Sequence, residues 1–158
     1  MRRLALVLAL LAVAALVATG CGSSGPSAAE TYKTAFTPLN AEIISTGNQV
    51  GEAVTTAPSK SNAELSAAFA RLSDKAAALA GAMVKLAPPK ELAADHQLLV
   101  SGLRKEAGNL NRIAEAAVKG DPAAAKQASA DTVTAAAGIR DPRLRLAEKL
   151  KLNSPSSP

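Results

Sequence analysis

Between residues 65 and 86, apolar residues fall at Leu65, Phe69, Leu72, Ala76, Leu79, Met83 and Leu86. The steps alternate between four and three without a miss. That period places all seven on one stripe of an α-helix and does not fit the two-residue repeat of a strand. A helix with one apolar stripe cannot bury it alone, so the pattern calls for partner helices. Aromatic residues make up only 2% of the chain (Tyr32, Phe36 and Phe69), and Trp is absent, which argues against a β-sandwich. Alanine is the most frequent residue and Leu, Lys and Glu are common, a composition that favours closely approaching helices.

The rest of the chain supplies the partners. Tyr32, Phe36, Leu39, Ile43, Val50 and Val54 form the stripe of a helix over about 28–56. Pro38 interrupts its hydrogen-bond ladder, either as a kink or as a new start capped by Thr37; the reading favours one kinked helix. A turn at 57–60 leads into Ser61-Asn62-Ala63-Glu64, a capping box opening a helix over about 62–86. Pro88 and Pro89 end that helix. The next, about 89–119, carries Leu92, His96, Leu99, Leu103, Leu110 and Ala114 on its seam. Gly120, Asp121 and Pro122 then read as C-cap, N-cap and first helical residue of a helix over about 122–151. That helix is weak. Its first half is nearly all alanine, with Val133 and Ile139 its only large apolar groups, and Gly138 and Asp141-Pro142 are expected to kink or break it. Four helices joined by short turns imply an all-α, up-down-up-down four-helix bundle over 28–152. The tail 153–158, rich in Ser and Pro, is expected to be disordered.

The N-terminus has a different character. Arg2 and Arg3 precede an unbroken apolar run from Leu4 to Ala18, the layout of an export signal. The run is shorter than the roughly 20 residues of a membrane-spanning helix. It ends at Ala18-Thr19-Gly20-Cys21, and Cys21 is the only cysteine. An exported chain with a single thiol can form no internal disulfide, so that residue needs another explanation.

This stretch resembles the lipobox of bacterial lipoproteins, with Ala18 standing where Leu is commonest. The resemblance covers about the first 25 residues. It implies cleavage between Gly20 and Cys21, removing 1–20, and attachment of a diacylglyceryl group to the Cys21 sulfur. Residues 21–27 would then be a lipidated cysteine and flexible tether. The protein would sit at the cell membrane, lipid-anchored on the extracytoplasmic face. Gly22 leaves an outer-membrane destination open in a cell with two membranes. The remainder is similar to small, Ala-rich helical lipoproteins of high-GC Gram-positive bacteria. That similarity rests on Thr19-Gly20-Cys21-Gly22-Ser23-Ser24, on Leu86-Ala87-Pro88-Pro89, and on His96 before Leu98-Leu99. It implies no activity.

The net charge is +5, and Arg2 and Arg3 leave with the signal, so the mature domain is only mildly basic. Nucleic acid is therefore not an expected partner. Arg140, Arg143, Arg145, Lys149 and Lys151 cluster near the C-terminus, either as a solvated face or as a contact for anionic headgroups.

The lone His96 lies on the apolar seam of its helix. Counting from the turns puts it level with Phe36, with Leu79–Met83 and with Leu146, near Tyr32 and Asp95, at the tethered end. Tyr32, Phe36, Met83 and His96 thus form a candidate ligand pocket. The bland alternative is a histidine hydrogen-bonded to a carboxylate, a carbonyl or water. A His and a Met in a bundle core suggest haem, but both flank one turn here and there is no Cys-x-x-Cys-His, so no cofactor is expected. Glu-x-x-His pairs, a Gly-rich phosphate loop and a supported Ser-His-Asp set are all missing from the sequence. The acidic residues are scattered and read as solvated. No metal site and no enzyme are expected. Two functions remain: a non-enzymatic module that binds a protein partner, and a carrier or sensor of a small apolar ligand held between helices. In the second, the Ala-rich fourth helix opens or leaves a groove.

Overall fold

The computed structural model describes residues 26–152; the expected signal segment, Gly20, Cys21 and the C-terminal tail lie outside the described residues. Four helices form an antiparallel bundle in the order α1 (Ala28–Thr56), α2 (Asn62–Val84), α3 (Ala93–Lys119) and α4 (Pro122–Lys149). A short 3-10 turn, Ala57–Ser59, joins α1 to α2. No described helix is long and apolar enough to cross a membrane.

The helix ends follow the local chemistry. Ser27 caps α1 by accepting from the Glu30 N–H at 3.2 Å. Ser61 and Glu64 make the reciprocal capping box that starts α2. Gly120, in the left-handed region at φ 62°, ends α3, a conformation glycine adopts without strain. Asp121 then caps α4, accepting from the Ala124 N–H at 3.0 Å. One boundary differs from the sequence expectation. α3 begins at Ala93 rather than near residue 89, because the chain after Pro89 first makes a tight i→i+3 turn, with Leu92 N–H donating to the Pro89 carbonyl at 2.9 Å. No side chain caps that start.

Both internal prolines are absorbed without ending a helix. Pro38 sits on the exposed side of α1. Nearby, the Thr37 hydroxyl donates to the Lys33 carbonyl at 2.8 Å. Pro142 is buried within a continuous α4, so of the kink or break expected at Gly138 and Asp141-Pro142, a break is not there. Having no N–H, Pro142 leaves the Gly138 carbonyl, one turn earlier, without its helical donor. That carbonyl is turned against Gly102 of α3: a Cβ built on Gly102 would lie 2.6 Å from the Gly138 oxygen. The α3–α4 crossing is therefore a backbone-to-backbone contact that only glycine at 102 permits. Packing against α3 holds a helix whose own sequence is weak.

The apolar interior is divided in two. At the end nearest Ala28, Tyr32, Phe36, Leu79, Met83, Leu99, Leu103, Leu146 and their neighbours form one cluster. Toward the other end, Val50, Phe69, Leu72, Leu110, Ile113 and Ala128 form the second. Between them lies a belt of buried polar residues: Thr46 on α1, Glu106 and Asn109 on α3, and Thr132 on α4. α3 packs extensively against α2 and α4, whereas α1 contacts α2 less and α4 least.

Candidate functional site

The four residues expected to line a pocket do come together. The Tyr32 hydroxyl and His96 Nδ1 are 2.9 Å apart in the buried interior. Burial favours the uncharged form of each: it pushes the Tyr32 phenol up to about 12 and holds the His96 imidazole below its ordinary value. With the histidine neutral, the tyrosine O–H donates to Nδ1 when the ring proton is on Nε2, and Nδ1–H donates to the phenol oxygen when it is on Nδ1. The Tyr32 ring stacks on Phe36 with centroids 5.7 Å apart, and His96 meets Tyr32 edge-on at 5.8 Å. Phe36 and Met83 have no exposed surface. His96 borders an outer depression with Val84, Pro88, Val100 and Arg104.

Next to His96, Asp95 is buried as a bridge. It accepts from Arg145 Nε at 2.7 Å and from Lys149 Nζ at 2.8 Å, and Lys149 also reaches the Glu91 carbonyl at 3.3 Å. Hydrogen bonds from Lys149 and then Arg145 hold the Asp95 carboxyl below its ordinary value. Arg140 pairs with Asp141 at 2.9 Å, and Arg143 donates to Asn40 Oδ1 at 3.1 Å. Four of the five clustered bases thus have side-chain partners, though the Arg140–Asp141 pair is an exposed one between neighbours on α4.

A roomier site lies where α1 and α4 part. Their faces enclose a groove of about 580 Å3, floored by Glu106 and Thr132 and walled largely by Ile43, Val50, Val54, Val133, Ala136 and Ile139. Gly47 and Gly51 widen it from the α1 side; a Cβ on either would meet nothing within 4 Å. Arg140 and Arg143 stand at one end. Glu106 is 7% exposed, and its Oε2 has no hydrogen-bond partner. Thr46 Oγ1 and Asn109 Nδ2, in the same polar belt, are also unpartnered. Among the described residues no cluster of three His, Cys, Asp or Glu side chains is placed to hold a metal ion.

Glu106 and Asp95 correct the reading of every acidic residue as solvated. The signal for Glu106 was in the spacing. The α3 seam jumps from Leu103 to Leu110, and the position that keeps the four-three rhythm between them is 106. The α1 seam makes a similar jump from Ile43 to Val50, spanning Thr46.

Burial raises the Glu106 carboxyl to about 7 from an ordinary 4.5. The unfolded chain therefore loses this proton at lower pH than the folded one. The resulting destabilisation is absent below about pH 4.5, grows as pH rises toward 7 and is full above it. After allowance for water in the groove, Glu106→Gln should stabilise the protein by about 1 to 2 kcal/mol at pH 8 and by nothing measurable at pH 4. Denaturant melts at the two values check this.

No protein-family model matches this chain, and neither the curated proteins nor the solved structures contain a significant match to it.

Proposed function

We propose that the protein is an extracytoplasmic lipoprotein, tethered through Cys21, whose helical domain is a non-enzymatic binding module for a small, mostly apolar ligand held between α1 and α4. The observation that carries the binding part is the groove itself. Its volume suits a small molecule, its walls are mainly apolar, and a few polar groups converge on its floor, the usual make-up of a ligand site. The tyrosine–histidine cluster serves as the packed end of the bundle in this reading, and the ligand lies farther along. The tether rests on Arg2-Arg3, the apolar run from Leu4 to Ala18, and Ala18-Thr19-Gly20-Cys21. Two acyl chains make a stable anchor where one is marginal.

Each part has its own test. The native protein should fractionate with membranes and carry a diacylglyceryl mass on its first mature residue, whereas Cys21→Ser should carry no lipid and keep its signal uncut. A native protein that lacks the diacylglyceryl mass, or a Cys21→Ser protein cut at the same place as the native one, overturns the tether. For the groove, the mature Cys21→Ser chain should bind one equivalent of a neutral fluorescent apolar probe such as N-phenyl-1-naphthylamine. Gly51→Leu should weaken that binding at least tenfold without lowering the melting temperature, since position 51 faces open space. Equal binding by both proteins overturns the groove as the site.

A further inference from the structure

We infer that the groove between α1 and α4 selects an amphipathic amine, with its ammonium on Glu106 and its hydrocarbon part along the apolar walls. The inference rests on the groove reading above and adds the chemistry of the ligand.

Glu106 is the reason. It is more than nine-tenths buried, lines the groove, and has an oxygen with no partner. A buried carboxylate without a partner is costly, and the cost is relieved most by a cation that arrives with its own hydrogen-bond donors. An ionised carboxylate only accepts, and an ammonium only donates, so the two are complementary. An alcohol can make one ordinary hydrogen bond there and cannot neutralise the charge.

The other charged groups in the lining argue against an anionic ligand at the same point. Arg140 is engaged by Asp141 and Arg143 by Asn40. α1 contributes no charged residue to the lining. From the Gly102–Gly138 crossing, Glu106 lies four residues along α3 and Arg143 five residues the opposite way along α4. At the rise of an α-helix the two are roughly 13 Å apart along the bundle. A divalent metal is also disfavoured, since it asks for about six oxygen ligands and Glu106 is the single carboxylate of the lining.

Proton competition follows from the same geometry. Because burial holds Glu106 largely protonated below neutrality, an ammonium must displace a proton to bind in mild acid. An alkylammonium stays charged between pH 5.5 and 7.5, so Glu106 would set the pH response.

The test uses the mature Cys21→Ser chain and three eight-carbon probes, octylamine, 1-octanol and octanoate, measured by calorimetry and by displacement of the fluorescent probe. Octylamine is expected to bind at least tenfold more tightly than 1-octanol at pH 7.5, with octanoate weakest. Its affinity should fall more than tenfold at pH 5.5, while that of 1-octanol stays constant. Glu106→Gln should bring octylamine down to the level of 1-octanol. The pH series on the unsubstituted groove decides the matter even if that variant does not fold. Equal binding of amine and alcohol overturns the amine selectivity and leaves the groove standing. Tightest binding by octanoate, unaffected by Glu106→Gln, overturns it in favour of an arginine anchor. Failure of all three probes and of the fluorescent probe overturns this inference and the groove together.

Discussion

Gly102→Ala is expected to destabilise the bundle by about 2 kcal/mol, although alanine is the better helix former. On an isolated helix the change would gain about 0.5–1 kcal/mol. Here the new Cβ would lie 2.6 Å from the Gly138 oxygen and 3.0 Å from both the Gly138 carbonyl carbon and Ile139 Cγ1. Two of those three atoms are backbone and cannot turn aside, so α3 and α4 must separate. Overfilling a packed contact typically costs about 1–3 kcal/mol, and this contact lies in one of the two most extensive helix interfaces of the bundle. The reciprocal change is the control. A Cβ on Gly138 would meet nothing within 4 Å, so Gly138→Ala should gain about 0.5–1 kcal/mol from propensity alone. Urea melts of the two variants should move in opposite directions. Similar shifts of the same sign would refute a backbone contact at this crossing.

The second large effect is expected at Asp95. Asp95→Ala should cost about 1–2 kcal/mol at pH 7, because it removes two charge-assisted hydrogen bonds and a negative charge from the first turn of α3. The figure stays modest because Arg145 and Lys149 are about half exposed and are partly solvated once released. The pH dependence has a definite sign. The folded carboxyl lies below its ordinary value of 3.8. The stabilisation is therefore fully present above that value and is lost as pH falls through the lower folded one. Asp95→Asn, which keeps the shape, should match the loss at pH 7. Both variants should converge with the unsubstituted protein in strong acid. A difference that persists there would assign the role of Asp95 to packing rather than charge.

Much of the architecture was legible because it depends on local rules. The stripe from Leu65 to Met83, the Ser61–Glu64 box and the Gly120-Asp121-Pro122 turn each specify a helix or its end from neighbouring residues alone. Antiparallel counting from those turns brought Tyr32, Phe36, Met83 and His96 to one level, since helical rise is constant. What the sequence concealed depends on contact between distant segments. Pro142 looks like a helix breaker until Gly102 is set opposite Gly138. Glu106 looks like a solvated acid unless its phase on the seam is weighed above its charge. The groove was legible only as a consequence of thin side chains on α4. Its position requires knowing how far α1 stands from α4, which no local pattern states.

The modest seating of α1 has a mechanical consequence. The N-terminal segment enters the domain at Ala28, the first residue of α1, so tension along that segment is delivered to the helix packed least extensively against the other three. α1 is also one wall of the groove. A pull from the chain's N-terminal side would therefore act on the width of the groove before it strained the α2–α3–α4 scaffold.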